Sequence, residues 1–203
     1  MLWLLLPLVY AERPIPGYRD ELMAGAAAAV AEVGQQKGAE AAEDLAERWY
    51  RSVDEDARIA YEVGLAWRLA GTEERALTAL NQALRLDPEM VAARYDRGEI
   101  LLARGHLDQA EADFREVARL APNQWAGHFR LADIAGRRGE PEAFQAHLLE
   151  ALRQGFQLRL IVKDPHWSGF LADAKVGPVL RSLILVYQDE SLLQELERPP
   201  GPE

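Results

Sequence analysis

The sequence predicts an all-α chain, an α-solenoid of helix–turn–helix units with capping helices at both ends. Three observations predict it. Gly64, Gly71, Ala76 and Pro88 return as Gly98, Gly105, Ala110 and Pro122, each 34 positions on (98 − 64, 105 − 71, 110 − 76, 122 − 88), and Gly139 follows Gly105 by the same step (139 − 105). A fixed period of this length marks a stack of small helical units. Ala, Leu, Glu and Arg are abundant and alternating Val/Ile/Thr runs are scarce, which favours helix over strand. The chain has 203 residues, 49% hydrophobic and 28% charged, enough for one sizeable core and ordinary for a soluble protein.

Composition also excludes function classes. A net charge of −10 repels phosphate, so nucleic acid is not an expected partner. The absence of cysteine removes disulfides, thiol catalysis and Cys-based zinc sites, and leaves the redox compartment open.

In chain order, residues 1–17 read as an apolar arm or leader followed by a linker. The run MLWLLLPLVY is too short for a transmembrane helix, which needs about 20 apolar residues, so no integral span is expected. Val9-Tyr10-Ala11 fits a small-x-small cleavage pattern loosely, but no Lys or Arg precedes the apolar run. Two readings stand: an arm packed on the first helices of a cytoplasmic protein, or a signal peptide of an exported, periplasmic one. Pro14 and Pro16 make Glu12–Gly17 a linker. Residues 18–56 read as a degenerate hairpin, with helices over Tyr18–Gln36 and Ala39–Ser52 broken at Gly38. Ala42, Leu45, Ala46 and Trp49 give the second helix its apolar stripe. Acidic residues at Asp54–Asp56 suit the start of the next helix.

Residues 57–158 form three units, 57–90, 91–124 and 125–158. Each has a first helix (Ala57–Leu69, Val91–Ala103, Trp125–Arg137) and a second (Glu73–Leu86, Leu107–Leu120, Glu142–Gln154). Gly71, Gly105 and Gly139 fall where a helix must stop in a left-handed residue. Gly64 and Gly98 fall inside the first helix, where glycine costs about 1 kcal/mol against alanine. The expected return is close contact with the second helix, at Ala76 and Ala110. Pro88 and Pro122 separate one unit from the next.

The pattern resembles the tetratricopeptide repeat. Unit one supplies Gly64, Trp67, Ala76, Leu80, Ala83 and Pro88 at the repeat's signature positions, and unit two supplies Gly98, Leu101, Ala110, Phe114, Val117 and Pro122. Unit three departs from the pattern. It has Ala132, Ala135, Leu148 and Ala151, but Phe144 where alanine is expected, and no closing proline. The resemblance implies a right-handed solenoid that binds another protein and needs no cofactor. In that fold the second, fifth, ninth and twelfth residues of each first helix line a concave groove. The matching residues are Arg58, Tyr61, Leu65 and Arg68; Tyr95, Glu99 and Leu102; and Phe129 and Asp133, with Arg137 beside them. The fifth position is aromatic in every unit (Tyr61, Tyr95, Phe129). Such a ladder suits a peptide or helix anchor. The bland alternative is that the rings pack against the next unit or against the C-terminal helix. The chaperone-tail clamp of this family is not matched. Tyr61, Leu65, Glu99 and Ala126 occupy its positions, and only Arg130 agrees.

Residues 159–197 read as a closing segment. Gly155–Lys163 is a connector that can be extended. Asp164 and Asp173 each suit the cap of a short helix. Leu180, Leu183, Ile184 and Tyr187 form an amphipathic helix, and Ser191–Glu197 is a last short one. Residues 198–203 read as a disordered tail. No catalytic constellation emerges, so no enzyme is expected. His106, His128, His147 and His166 lack metal spacing and read as surface or turn residues. Trp49, Trp67, Trp125 and Trp167 read as core, and Glu73-Glu74 as helix-start carboxylates. The leading expectation is a scaffold or adaptor, the alternative an accessory subunit of an envelope or secretion complex. The oligomeric state is left open.

Overall fold

A computed structural model describes residues 32–38, 40–41, 44, 56–188 and 190–197. The apolar arm, most of the degenerate hairpin with Trp49, and the C-terminal tail lie outside the described residues. Residues 32–37 are helical. Among the described residues from Ala57 on, every regular element is a helix: α1 (Ala57–Leu69), α2 (Glu73–Leu86), α3 (Val91–Ala103), α4 (Leu107–Leu120), α5 (Trp125–Arg138), α6 (Pro141–Arg153), a 3-10 helix (Leu158–Lys163), α7 (Pro165–Ala172), α8 (Gly177–Tyr187) and α9 (Glu190–Glu197). The chain divides into two compact units, Met1–Arg104 and Gly105–Glu203, and the division falls at the turn inside the second repeat.

In the first unit, Asp56 starts α1 as its charge and position predict. Its carboxylate accepts from the backbone N–H of Arg58 (2.9 Å) and of Ile59 (3.3 Å). The reversal into α2 passes through Gly71 at φ 80°, where a Cβ would be strained. The backbone N–H of Thr72 then closes onto the Trp67 carbonyl at 2.9 Å. Gly64 does what its cost requires. A Cβ there would stand 3.0 Å from Leu80 Cγ and 3.3 Å from the Ala76 carbonyl oxygen. Glycine and the fully buried Ala76 therefore let α1 and α2 approach closely. Trp67, Leu80, Ala60, Ala83, Ala93 and Ile100 fill the core around that contact. Glu73 and Glu74 hold the Arg104 guanidinium at 2.9 and 2.7 Å from the first turn of α2. At the next turn Arg94 donates twice to the Pro88 carbonyl, at 3.0 and 2.7 Å.

In the second unit Gly127 lets the backbones of α5 and α4 approach closely. A Cβ there would lie 2.8 Å from the Ala118 backbone nitrogen of α4. Gly139 ends α5 at φ 65°, and Pro141 opens α6 one residue earlier than the sequence suggests, since its ring pre-sets helical φ. Phe144, out of pattern for its repeat position, is fully buried and meets the rings of Trp167 and Phe170, each at 5.8 Å. The connector after Gly155 is not extended. It winds into the 3-10 helix, where residues three apart eclipse, so Leu158 and Ile161 are buried together. An extended chain would send them to opposite sides.

Asp164 caps α7 by accepting from His166 N–H at 3.0 Å. Asp173 caps the turn ahead of α8, accepting from Lys175 and Val176 N–H at 2.8 and 2.9 Å. Leu180, Leu183 and Ile184 are buried as expected, but Tyr187 is 48% exposed, beside exposed Leu185 and Val186. The helix ends at Tyr187, so the stripe has no further turn to carry that ring inward.

Replacing Gly127 with Ala should force α5 and α4 apart. The expected cost is about 1–3 kcal/mol, read as a lower urea midpoint with an unchanged m-value. An unchanged midpoint would mean that the two backbones are not in contact there.

Candidate functional site

The first-helix residues singled out by the sequence do different things in the two units. In the first, Tyr61, Leu65, Glu99 and Leu102 are buried, while Arg58, Arg68 and Tyr95 are half-buried. Asp96, which sequence reasoning missed, brings two of them together. The Tyr61 hydroxyl donates to Asp96 Oδ2 at 2.9 Å, and Arg68 donates to Asp96 Oδ1 in an ion pair. Tyr61 and Arg68 belong to α1 and Asp96 to α3, so this cluster joins consecutive repeats. Burial pushes the Asp96 carboxyl up to about 6; the Arg68 charge and the Tyr61 hydrogen bond oppose the rise, and the Glu99 carboxylate adds to it.

In the second unit, Phe129 is buried inside an aromatic cluster. It stacks on Trp167 of α7 (4.9 Å between ring centres, 10° between planes) and packs against Phe156 at 4.4 Å. Trp125, half-buried, meets its edge at 5.9 Å. The third rung of the predicted ladder is thus covered by the chain's own closing helix. Asp133, one turn on, is 1% exposed. It accepts from Arg137 Nε at 2.8 Å, with Arg130 at 3.5 Å and His166 Nε2 of α7 at 3.3 Å. Burial alone would raise its carboxyl. The His166 and Arg137 hydrogen bonds, with the charges of Arg130 and Arg137, outweigh that and hold it below the usual value. Arg137 is exposed. Arg130 is buried over the Phe129 ring at 5.3 Å.

Two histidines were not paired by sequence reasoning. His128 on α5 and His147 on α6 bring their Nδ1 atoms to 3.2 Å. The signal was available. They lie at similar distances either side of the Gly139 reversal (139 − 128 = 11, 147 − 139 = 8), so an antiparallel hairpin places them opposite. Burial holds both imidazoles below the ordinary histidine value. The charges of His128 and Arg115 add to this for His147; Glu150 opposes it at His128 and Glu111 at His147.

A family model described as tetratricopeptide repeat matches residues 26–90, 74–124 and 95–157. Among curated proteins, DnaJ homolog subfamily C member 3 of Homo sapiens is 39% identical over 72 residues, covering 35% of this chain and 14% of that protein. Photosystem I assembly protein Ycf3 of Acaryochloris marina is 34% identical over 95 residues, covering 40% of this chain and 57% of its own length. The chain therefore spans a small part of the first of these relatives and little more than half of the second. Among solved structures, MamA from Desulfovibrio magneticus RS-1 superposes with a TM-score of 0.65 at 17% identity, covering 90% of this chain and 99% of that one. This likeness, a helical repeat solenoid, is one of fold. Among the described residues no helix is long and apolar enough to cross a membrane.

Two of the buried carboxylates, Asp96 and Asp133, should give opposite pH signatures. Asp96 has a folded value above its unfolded one. Its contribution is therefore full below about pH 4 and is lost as pH rises through about 6. The stability of the native chain relative to Asp96→Asn should fall by a few kcal/mol across that window. Asp133 has a depressed value, so its contribution is present above about pH 4 and is lost as pH falls through the folded value. Relative to Asp133→Asn, the native chain should lose stability only on acidification. Thermal melts of the three proteins from pH 3 to 8 check both; parallel curves would contradict the assignment.

Proposed function

The chain belongs to the tetratricopeptide repeat family, whose repeats serve as protein-interaction scaffolds, and from that premise we propose that it holds a peptide or helix of another protein. The observation that carries this reading lies in the first unit. Arg58, Arg68 and Tyr95 stay half-buried on α1 and α3, while Tyr61, Leu65, Glu99 and Leu102 are packed away around them. Arg58 and Tyr95 thereby keep part of their surface open on helices, and Arg68 keeps part of its own while paired to Asp96. Such groups suit a segment carrying acidic or carbonyl-rich surface. In the second unit the closing helix covers Phe129 and Asp133, while Arg137, paired to Asp133, stays exposed. The reading is non-catalytic and asks for no cofactor.

A photo-cross-linking side chain placed at Arg58 or at Tyr95 should capture one discrete partner in the native host. The same probe at Thr78 or Arg85, exposed on α2, should not. Equal capture from all four positions would contradict the assignment of the face.

A second reading is an accessory subunit in the assembly of an envelope or secretion complex. It is supported by the apolar run MLWLLLPLVY and by the assembly role printed in the name of the Ycf3 relative. N-terminal sequencing of the protein from its host separates the two. A mature start at Glu12 supports export, and a start at Met1 or Leu2 argues against it.

A further inference from the structure

We propose that His128 and His147 form a two-histidine site for a divalent transition-metal ion, Zn(II) first among them, that staples α5 to α6. The geometry carries the inference. The two Nδ1 atoms face each other at 3.2 Å, with ring centres 5.4 Å apart and planes 32° from parallel. Zinc binds imidazole nitrogen at about 2.0–2.1 Å, so two nitrogens on one tetrahedral ion stand about 3.3–3.4 Å apart. The pair already holds that bite. An octahedral or square-planar ion at a similar bond length asks for about 2.9 Å, a poorer match.

The site is built rather than incidental. Each histidine sits inside a helix of the Gly139 hairpin, half-buried, so neither nitrogen needs to be recruited from solvent. As the pair stands, one Nδ1 must donate and the other accept. When the ion enters, the donating ring carries its proton on Nε2 instead, and both Nδ1 lone pairs face the ion. No net proton is consumed or released by two neutral imidazoles. Glu150, one turn after His147, puts its negative charge near His128 and Glu111 puts its own near His147; Arg115 opposes them at His147 while paired to Glu111. Among the described residues there is no group of three or more metal-binding side chains. Among the described residues the site therefore supplies two nitrogens, and water completes the sphere, which leaves open positions on the ion.

The test uses the full chain without an affinity tag. Calorimetric titration with Zn(II) should give one site per chain, and Co(II) in its place should give the visible bands of a tetrahedral ion. His128→Ala and His147→Ala should each weaken Zn(II) binding at least tenfold, and the double variant should lose the site and the Co(II) bands. His106→Ala, at an exposed turn position, should bind like the native chain. Zn(II) should raise the melting temperature of the native chain and not of the double variant. If an alanine variant does not fold, as judged by its helical circular dichroism, the glutamine variant at the same position takes its place. Failure of the native chain to bind Zn(II), or equal affinity in the His128 and His147 variants, overturns the proposal.

Discussion

A carboxylate taken out of water must be paired, hydrogen-bonded or protonated, or it destabilises its surroundings. That requirement governs both first-helix faces of this protein. Asp96 is 3% exposed and draws Tyr61 and Arg68 to itself; Asp133 is 1% exposed and draws Arg137, Arg130 and His166. In each unit, residues that stand at groove positions of the repeat are thereby engaged in holding neighbouring elements together. In the first unit the elements are α1 and α3, and in the second they are α5 and α7.

The second constraint is close approach. Gly64 meets Leu80 and the Ala76 carbonyl, and Gly127 meets the Ala118 backbone. Each glycine gives up intrinsic helix propensity and gains a helix contact that no side chain could share. The left-handed turns at Gly71, Gly105 and Gly139, with φ of 80°, 77° and 65°, need glycine for their backbone conformation instead. Together these residues fix helix ends and helix separations, and so they fix the frame on which the carboxylate clusters can form.

That frame was legible in the sequence because its determinants are local. A glycine at each reversal and an acid at Asp56 set the ends of α1, α2, α3 and α4 where the pattern placed them. The closing segment was harder to read. Whether Gly155–Lys163 extends or coils depends on burying Leu158 and Ile161 together, a tertiary matter. The fate of Phe129 was likewise undecidable from its period alone, since the ring that stacks on it, Trp167, lies in a segment with no repeat register. Phe144 makes the same point in reverse. It broke the pattern because its room is shared with Trp167 and Phe170 of α7. Asp96 and the His128–His147 pair escaped notice because single polar residues on helices read as solvent-facing until a neighbour is placed beside them.

Asp96 is the tie between the consecutive repeats of the first unit. A double-mutant cycle with Tyr61→Phe and Asp96→Asn, followed by urea unfolding, measures that tie directly. A hydrogen bond to a buried charged group is worth about 1.5–3 kcal/mol, so the two substitutions should be coupled by about 1 kcal/mol or more. Additive losses would contradict the account, because they would mean that the Tyr61 hydroxyl and the Asp96 carboxylate do not hold each other.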